Sequence, residues 1–133
     1  MNKHSRISLE RIRNANLVIS PEFLNTPQHL CEPLSVELGV RVVVKIETVN
    51  PIRSFKGRGA DLYMSTIPRQ SEVVCASAGN FGQAMAYAAR RRGVRVTVYA
   101  ARNANPLKLG DGFDAARNEA QRAADERGAR LGL

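Results

Sequence analysis

The feature that most constrains the fold is a strand, a helix and a second strand that follow one another closely between residues 72 and 100. Residues 72–75 are rich in β-branched side chains, and residues 94–100 are an almost continuous run of small and β-branched apolar residues. Two strands connected by a helix at this spacing form a right-handed βαβ unit with parallel strands. We therefore predict an α/β fold. The connecting helix is predicted over 80–92, where apolar residues recur at helical spacing: Phe81, Ala84, Met85 and Ala88.

The first half of the chain is predicted to contain short helices and one strand. Ser8 can cap a helix, and Pro33 to Leu38 has proline in its first turn and a glycine stop after its last residue. Arg41 to Glu47 is a β-branched run that predicts a strand. Gly57 to Ile67 is predicted to be helical, and Pro68 ends it. Its apolar face is expected to contain Ala60, Tyr63, Met64 and Ile67.

The pattern changes after residue 100. Asn105 to Leu109 begins like a helix, with asparagine as N-cap and proline in the first position, but Gly110-Asp111-Gly112 stops it after one turn. A crossover between parallel strands needs about ten residues or more. Residues 113–127 then carry an alanine-rich helical stripe, and residues 129–133 are expected to begin another strand.

The net charge of +8, from 20 Lys and Arg against 12 Asp and Glu, raises the question of nucleic-acid binding. The basic residues are mostly arginines scattered among acidic ones, and their only run is Arg90-Arg91-Arg92. That run closes a predicted helix, where the helix dipole favours cations. No aromatic residues alternate with it to stack on bases. Nucleic-acid binding is therefore disfavoured.

The remaining composition is that of a globular protein, with 44% apolar residues. No window approaches the roughly 20 apolar residues of a membrane span, and no secretory signal is recognisable, so a cytoplasmic location is expected. Cys31 and Cys75 lack the spacing of a metal site, so we predict no metal. A disulfide between them is the alternative to two free, buried thiols, which we predict because no export signal is recognisable.

The first segment with chemical potential surrounds Lys56. Ser54 can cap the helix that follows, which places the lysine in the first helical turn. The helix dipole there, and burial beside Phe55, would favour the neutral amine that Schiff-base chemistry requires. Gly57 and Gly59 would leave room for a flat ligand. The alternative explanation is a solvated lysine at a helix start, which is the ordinary situation of most lysines.

The second segment is Ser77 to Gln83, between a predicted strand and a predicted helix. Open α/β sheets bind ligands at the carboxyl ends of their strands, and N–H groups at a helix start suit an anion such as a carboxylate. Small residues allow the main chain to approach the ligand, and Asn80 can donate or accept a hydrogen bond. The alternative is an ordinary βα turn with a polar cap.

The two segments together resemble the fold-type II pyridoxal-phosphate-dependent enzymes, and within them the threonine/serine dehydratase (ammonia-lyase) group. In that family a Lys-x-Glu strand leads through Asn-Pro to Ser-Phe-Lys, and a Ser-x-Gly-Asn-x-Gly segment and an Asn-Pro-x-Lys helix start follow. The matching stretches here are Thr26-Pro27, Lys45-Ile46-Glu47, Asn50 to Lys56, Ser77 to Gln83, and Asn105 to Lys108. The resemblance implies parallel βαβ units of the tryptophan synthase β-like fold.

The resemblance also implies roles for matching residues. Lys56 would be the Schiff-base lysine of pyridoxal 5'-phosphate and would move protons, and Phe55 would pack beside the cofactor. Asn80 would bond the cofactor's phenolic oxygen. The implied reaction is α,β-elimination from L-threonine or L-serine, which gives a 2-oxo acid and ammonia. The substrate would contact Ser77, Ala78, Gly79, Asn80 and Gln83.

The chain departs from the family pattern in its length and in the short connection after Lys108. We expect residues 1–133 to be a single N-terminal portion, with a lysine-bearing segment at 1–70 and a βαβ segment at 71–133. The family's phosphate-binding loop is not found, and neither Arg53 nor Arg58 is expected to replace it. Alternatives are a folded, inactive remnant or interaction module, a β-replacement enzyme of the cysteine synthase or threonine synthase type, and a basic nucleic-acid binder. A homo-oligomer or a complementing chain is a further expectation.

Overall fold

The computed structural model of the protein describes residues 7–100 and 121–132. The predicted helix start at 105–108 and the first part of the helix predicted at 113–127 lie outside these residues. In chain order, the elements are α1 (Leu9–Ala15), α2 (Pro21–Leu24), β1 (Gln28–Leu30), α3 (Glu32–Leu38), β2 (Val43–Lys45), α4 (Lys56–Ser65), β3 (Glu72–Ala76), α5 (Asn80–Arg92), β4 (Arg95–Tyr99), a helical stretch over 121–127, and β5 (Arg130–Gly132).

Within the described residues, β3 lies between β4 and β5 and is parallel to both. Val74 of β3 is opposite Thr97 of β4 on one side and opposite residue 131 on the other. The predicted βαβ unit and the predicted strand near residue 130 are therefore both confirmed. The α/β fold class with a parallel sheet follows from this arrangement.

Helix α5 has the predicted bounds, because its pattern and its stop are both local. Gly93 takes a left-handed conformation with φ of 66°, which glycine adopts without steric cost, and it ends the helix. The apolar face of α5 packs on α4 and β3 in the core. Its buried members include Ala84, Met85 and Ala88, and α4 contributes Ala60 and Met64. On the other side of the sheet, Val74 packs on Ala123 and Ala124.

A buried ion pair joins α4 to the end of α5. The Asp61 side chain is buried, and its Oδ1 accepts hydrogen bonds from Arg92 Nε at 3.1 Å and Nη2 at 2.9 Å. Its Oδ2 accepts the N–H of Ser20 at 2.7 Å. Arg91 pairs with Glu22. Two arginines of the basic run therefore stabilise the fold through acidic partners.

The strand predicted at Arg41–Glu47 is shorter than expected. Strand β2 covers only Val43–Lys45 and pairs antiparallel with β1 in a separate small sheet. A strand pairs only as far as its partner extends, and β1 is limited by Pro27 before it and by α3 after it. Helix α4 likewise begins at Lys56 and ends at Ser65, so the prediction of a helix to Ile67 was two residues too long.

Other local predictions are confirmed at the residue level. Ser8 caps α1 by accepting the N–H of Arg11 at 3.3 Å. Gly39 ends α3 with φ of 64°. Both cysteines are free, but only Cys75 is buried, and burial raises its pKa to about 11. The prediction of burial was wrong for Cys31, which is half-buried. Among residues 7–100 and 121–132, the helices are too short or too polar to span a bilayer.

Candidate functional site

Lys56 is the first residue of α4, and its backbone is tied to the preceding loop. The Oγ atom of Ser54 accepts the N–H of Lys56 at 3.3 Å, as the predicted cap requires. The lysine side chain is exposed, with Nζ 4.8 Å from the centroid of the Phe55 ring. The predicted burial of the amine beside Phe55 was wrong, since that ring is itself 61% exposed.

The Lys56 side chain opens onto a cavity of about 350 Å³, which we call the Lys56 pocket. Its wall combines one amine with aromatic rings and small residues. Lining residues are Phe55, Lys56, Gly59, Ala60, Tyr63, Phe81, Met85 and Gly132. Three of its rings belong to different elements, because Phe55 precedes α4, Tyr63 lies within α4, and Phe81 is in the first turn of α5.

The two glycines after Lys56 have different surroundings. A Cβ atom on Gly59 would meet nothing within 4 Å, and Gly59 lines the Lys56 pocket as an open position. A Cβ atom on Gly57 would stand 2.3 Å from Phe23 Cε1. The prediction that Gly57 makes room for a ligand was therefore wrong. Gly57 instead allows α4 to pack on the buried Phe23 ring.

The predicted turn from Ser77 to Gln83 borders a second cavity of about 560 Å³, the Ser77 pocket. The buried Ser77 shapes this turn, because its Oγ accepts the N–H of Gly82 at 2.9 Å and that of Gly79 at 3.3 Å. A Cβ atom on Gly82 would lie 2.8 Å from Val98 Cγ1, so Gly82 permits close packing of α5 on β4. The lining includes Ser77, Ala78, Gly79, Asn80, Gly82 and Gln83.

Backbone donors remain available at this turn. Within the part of the chain that the structure describes, the N–H groups of Ala78, Asn80 and Phe81 have no hydrogen-bond partner. N–H groups at a helix start carry partial positive charge and bind anions such as carboxylates. The turn can therefore accept a small anion at the carboxyl end of β3.

The two predicted segments border different cavities. Lys56 and Phe55 line the Lys56 pocket, whereas Asn80 and the other residues of the predicted turn line the Ser77 pocket. The first turn of α5 contributes to both cavities, because Phe81 lines the Lys56 pocket and its neighbours Asn80 and Gly82 line the Ser77 pocket. The structure thus places the predicted residues on two adjoining surfaces.

Sequence reasoning missed a polar cluster that includes residues on both sides of Lys56 in the chain. It consists of Thr26, Glu47, Asn50 and Arg58, and we call it the Glu47 cluster. Glu47 Oε1 accepts hydrogen bonds from Arg58 Nη2 and from Thr26 Oγ1, the latter at 3.1 Å. Glu47 Oε2 accepts Asn50 Nδ2 at 3.1 Å. The signal available in the sequence was the group of charged and polar residues at the end of the predicted strand. These residues carry the family resemblance, but the sequence analysis does not predict that their side chains bond to one another.

The Glu47 carboxyl is held in its ionised form. Partial burial acts to raise its pKa, but the hydrogen bond and charge of Arg58 outweigh that effect, together with the donors of Thr26 and Asn50. The net result is a pKa below the ordinary value of 4.5. Arg58 also donates from Nε to the carbonyl oxygen of Phe23 at 2.7 Å. Two of the three guanidinium nitrogens of Arg58, Nε and Nη2, are thus engaged by the protein.

Comparison with known proteins identifies the class. Residues 19–129 match the family described as pyridoxal-phosphate dependent enzyme, and the chain belongs to that family. It is 38% identical over 109 residues to the mitochondrial threonine dehydratase of Schizosaccharomyces pombe, covering 70% of this chain and 18% of that protein. It is 38% identical over 101 residues to a putative threonine dehydratase of Sinorhizobium fredii, covering 74% of this chain and 30% of that one.

Solved structures agree on the fold. The processed form of threonine deaminase isoform 2 from Solanum lycopersicum has 27% identity and a TM-score of 0.75, and the match covers 99% of this chain and 42% of that one. Maize serine racemase has a TM-score of 0.80 at 23% identity, covering 96% and 44% of the two chains, which supports the fold alone. The predicted fold-type II, tryptophan synthase β-like class is confirmed. By family the chain belongs to the pyridoxal-phosphate-dependent enzymes.

The residues around Lys56 fit the ring of pyridoxal phosphate. The cofactor carries an aldehyde on a flat aromatic ring, and the Lys56 pocket offers an exposed amine beside rings that can stack on it. Gly59 leaves the floor of the pocket open. Within the described residues, the Nε and Nη2 atoms of Arg58 bond to Phe23, Thr26 and Glu47, which holds the guanidinium in the Glu47 cluster.

Proposed function

We propose that Lys56 binds pyridoxal 5'-phosphate and that the protein eliminates water from a hydroxyamino acid, converting L-threonine or L-serine to a 2-oxo acid and ammonia. The observation that carries the proposal is the exposed amine of Lys56 at the start of α4, opening onto a cavity walled by aromatic rings. The threonine dehydratase relatives, at 38% identity, support the choice of substrate class. The chain spans 18% and 30% of those relatives, so the complete reaction is part of the proposal.

Each group of the site has a definable task. When bound, pyridoxal phosphate supplies an electron sink for the breaking of substrate bonds next to the amino group. The Lys56 amine would take a proton from the substrate Cα and, as a general acid, pass it to the departing hydroxyl, which leaves as water. The Phe55 ring would pack beside the cofactor. The Asn80 side chain, which lies on the adjoining Ser77 pocket, would hydrogen-bond the cofactor's phenolic oxygen.

The Ser77 pocket is proposed to hold the amino-acid substrate. The unpartnered N–H groups of Ala78, Asn80 and Phe81 would bind its carboxylate, which fixes the Cα atom relative to Lys56. Ser77 holds the turn through its hydroxyl, and Gly79 keeps the main chain accessible. Gln83 lines the same pocket and is proposed to contact the substrate side chain.

A reductive trapping experiment tests the lysine. The purified chain is mixed with pyridoxal phosphate and reduced with borohydride, and the adduct is located by peptide mass mapping. The chain has four lysines, at positions 3, 45, 56 and 108, and we expect the adduct on Lys56. Lys56→Ala should abolish selective labelling. Lys108→Ala is the control, since it removes one lysine and leaves Lys56 in place. Equal labelling of all lysines would contradict the proposal.

A second experiment tests the reaction class. The chain is loaded with cofactor and given L-threonine, L-serine, or O-acetyl-L-serine with sulfide, and 2-oxo acid, ammonia and cysteine are measured. Formation of a 2-oxo acid that requires Lys56 supports elimination. Formation of cysteine alone would favour a β-replacement enzyme. A Lys56 adduct without any turnover would favour a cofactor-binding remnant.

A further inference from the structure

The Glu47 cluster includes Asn50, which begins the loop that leads into α4 at Lys56. We call residues 50–55 the Lys56 loop, and few other contacts fix the position of the lysine. Within residues 7–100 and 121–132, Lys56 Nζ makes no hydrogen bond, and it lies over the exposed Phe55 ring in a cation–π contact. The position of the amine therefore depends on the backbone that enters α4. That backbone runs from Asn50 to Phe55.

Asn50 holds this loop with both ends of its side-chain amide. Its Oδ1 accepts the N–H of Ile52 at 3.1 Å and that of Ser54 at 3.2 Å, and its Nδ2 donates to the carbonyl oxygen of Ser54 at 2.9 Å. Ser54 in turn accepts the N–H of Lys56. Arg53 has φ of 53°, a conformation that residues other than glycine rarely adopt. A loop of this kind keeps its shape only where neighbouring contacts impose it.

Glu47 connects both flanks of Lys56. One carboxylate oxygen binds Asn50 in the loop before the lysine, and the other binds Arg58 in the helix after it. The Glu47 side chain is 16% exposed, and Asn50 and Thr26 are buried, so these hydrogen bonds are shielded from competing water. The carboxylate is therefore placed to fix the angle at which the loop enters α4.

Resting on the proposed role of Lys56, we infer that Glu47 is a positioning residue that sets the Lys56 amine in the Lys56 pocket through Asn50 and Arg58. Glu47 itself is not among the residues that line the Lys56 pocket. Its effect is transmitted by the loop backbone. Replacing its carboxylate by an amide removes the charge and presents an N–H₂ group to one of two donors, Asn50 or Arg58.

The chain contains a matched control for this cluster. Glu72 of β3 accepts hydrogen bonds from Thr97 Oγ1 at 3.4 Å and from Arg127 Nη1 at 3.2 Å. Its side chain is 21% exposed, close to the 16% of Glu47. Among the described residues, the side-chain partners of Glu72 are Thr97 and Arg127, and neither belongs to the loop from Asn50 to Phe55. Glu47→Gln and Glu72→Gln thus remove the same charge from similarly exposed side chains. Only Glu47 is bonded to residues on both sides of Lys56.

The test measures the rate of pyridoxal phosphate addition to Lys56, trapped by borohydride and mapped by mass, in the wild-type chain and both variants. We expect the rate in Glu47→Gln to fall about tenfold, because small misplacements of a reacting group are costly. Glu72→Gln should label at the wild-type rate. Equal rates in all three proteins, or equal losses in both variants, would overturn the inference.

A milder pair guards against unfolding of Glu47→Gln. Thr26→Val removes one hydrogen bond to Glu47, together with the weaker bond that Thr26 accepts from Arg58 at 3.4 Å, without altering charge. Thr97→Val removes one hydrogen bond to Glu72. We expect Thr26→Val to label Lys56 about threefold more slowly than Thr97→Val, because the amine is partly displaced. The thermal unfolding midpoints of the two variants should be the same. Identical labelling in the two valine variants would count against Glu47 as a positioning residue.

Hydrogen exchange separates this inference from the proposed function. If the wild-type chain labels its lysines evenly, the proposed function fails, and exchange at the N–H groups of Ile52 and Ser54 decides the case of Glu47 alone. Faster exchange at these two amides in Glu47→Gln than in Glu72→Gln supports control of the loop by Glu47. Unchanged exchange at both amides would overturn it.

Discussion

Gly57→Ala should destabilise the protein, whereas Gly59→Ala should stabilise it, although the two glycines lie two residues apart in α4. The methyl group on residue 57 would stand 2.3 Å from Phe23 Cε1 and 2.5 Å from Cδ1, distances that no relaxed contact allows. Phe23 is 1% exposed and packs edge-on against Tyr87 with ring centroids 5.6 Å apart, so it cannot turn away freely. The ring or the helix must move.

The magnitude follows from two opposing effects. Overpacking a core by one methyl group costs roughly 1–3 kcal/mol, and replacing glycine by alanine in a helix gains roughly 0.5–1 kcal/mol. For Gly57→Ala we expect a net loss of about 1–2 kcal/mol. For Gly59→Ala nothing lies within 4 Å, so only the gain remains, up to about 1 kcal/mol. The two variants should therefore differ in sign.

Urea unfolding followed by circular dichroism measures both variants against the wild type, with the free energy of unfolding taken from linear extrapolation. A double-mutant cycle with Phe23→Leu supplies the internal control, because the smaller side chain should remove most of the cost of the added methyl group. If Gly57→Ala were as stable as Gly59→Ala, or if Phe23→Leu left its cost unchanged, the close packing of α4 on Phe23 would be refuted.

Three further predictions rest on individual side chains. Asp61→Ala leaves the half-buried Arg92 without its carboxylate and should cost about 3–5 kcal/mol in urea unfolding, and a loss below about 1 kcal/mol would contradict this. Because its pKa is lowered, Glu47 stabilises the fold above the ordinary value of 4.5 and loses that effect as pH falls through the folded pKa. The stability difference between wild type and Glu47→Gln should therefore shrink on acidification below pH 4.5, and a constant difference in urea midpoints would contradict it. Cys75, with a pKa raised to about 11, should resist iodoacetamide in the native chain while the half-buried Cys31 reacts, and mass mapping that finds Cys75 modified first would overturn this order.

The elements that the sequence predicted well are those whose signals are local. Helix α5 has its apolar spacing, its glycine stop and its adjacent strands within 28 residues, from Glu72 to Tyr99. The family motifs at Lys56 and at Ser77 to Gln83 are likewise contiguous. Local propensity, pattern and turn chemistry agree there, so one sequence window determines the result.

The features that the sequence missed depend on distant partners. The β1 strand has three residues, Gln28 to Leu30, all exposed, and its identity comes from pairing with β2 at 43–45. The Glu47 cluster joins residues 21 and 11 positions apart, which no window reading detects. The exposure of Lys56 is also a tertiary property, since it depends on where the Phe55 ring lies.

The two halves of the candidate site are held by different forces, and this difference has a consequence for how each would fail. The turn from Ser77 to Gln83 follows a buried parallel strand, and its shape is fixed by the Ser77 hydroxyl and by the packing of Gly82 on Val98. The Lys56 loop lies outside the sheet and is fixed by side-chain hydrogen bonds that converge on one carboxylate.

Acid or a single substitution can remove that carboxylate, whereas neither removes the sheet. Local unfolding occurs most readily in the region with the fewest buried apolar contacts and with hydrogen bonds that are easily lost. Loss of Glu47 should therefore release the lysine while the turn from Ser77 to Gln83, the proposed carboxylate site, keeps its form. A chain in that condition would retain affinity for a carboxylate but would lose the placed amine. Binding of the carboxylate would then persist without covalent chemistry at Lys56, although both depend on the same fold.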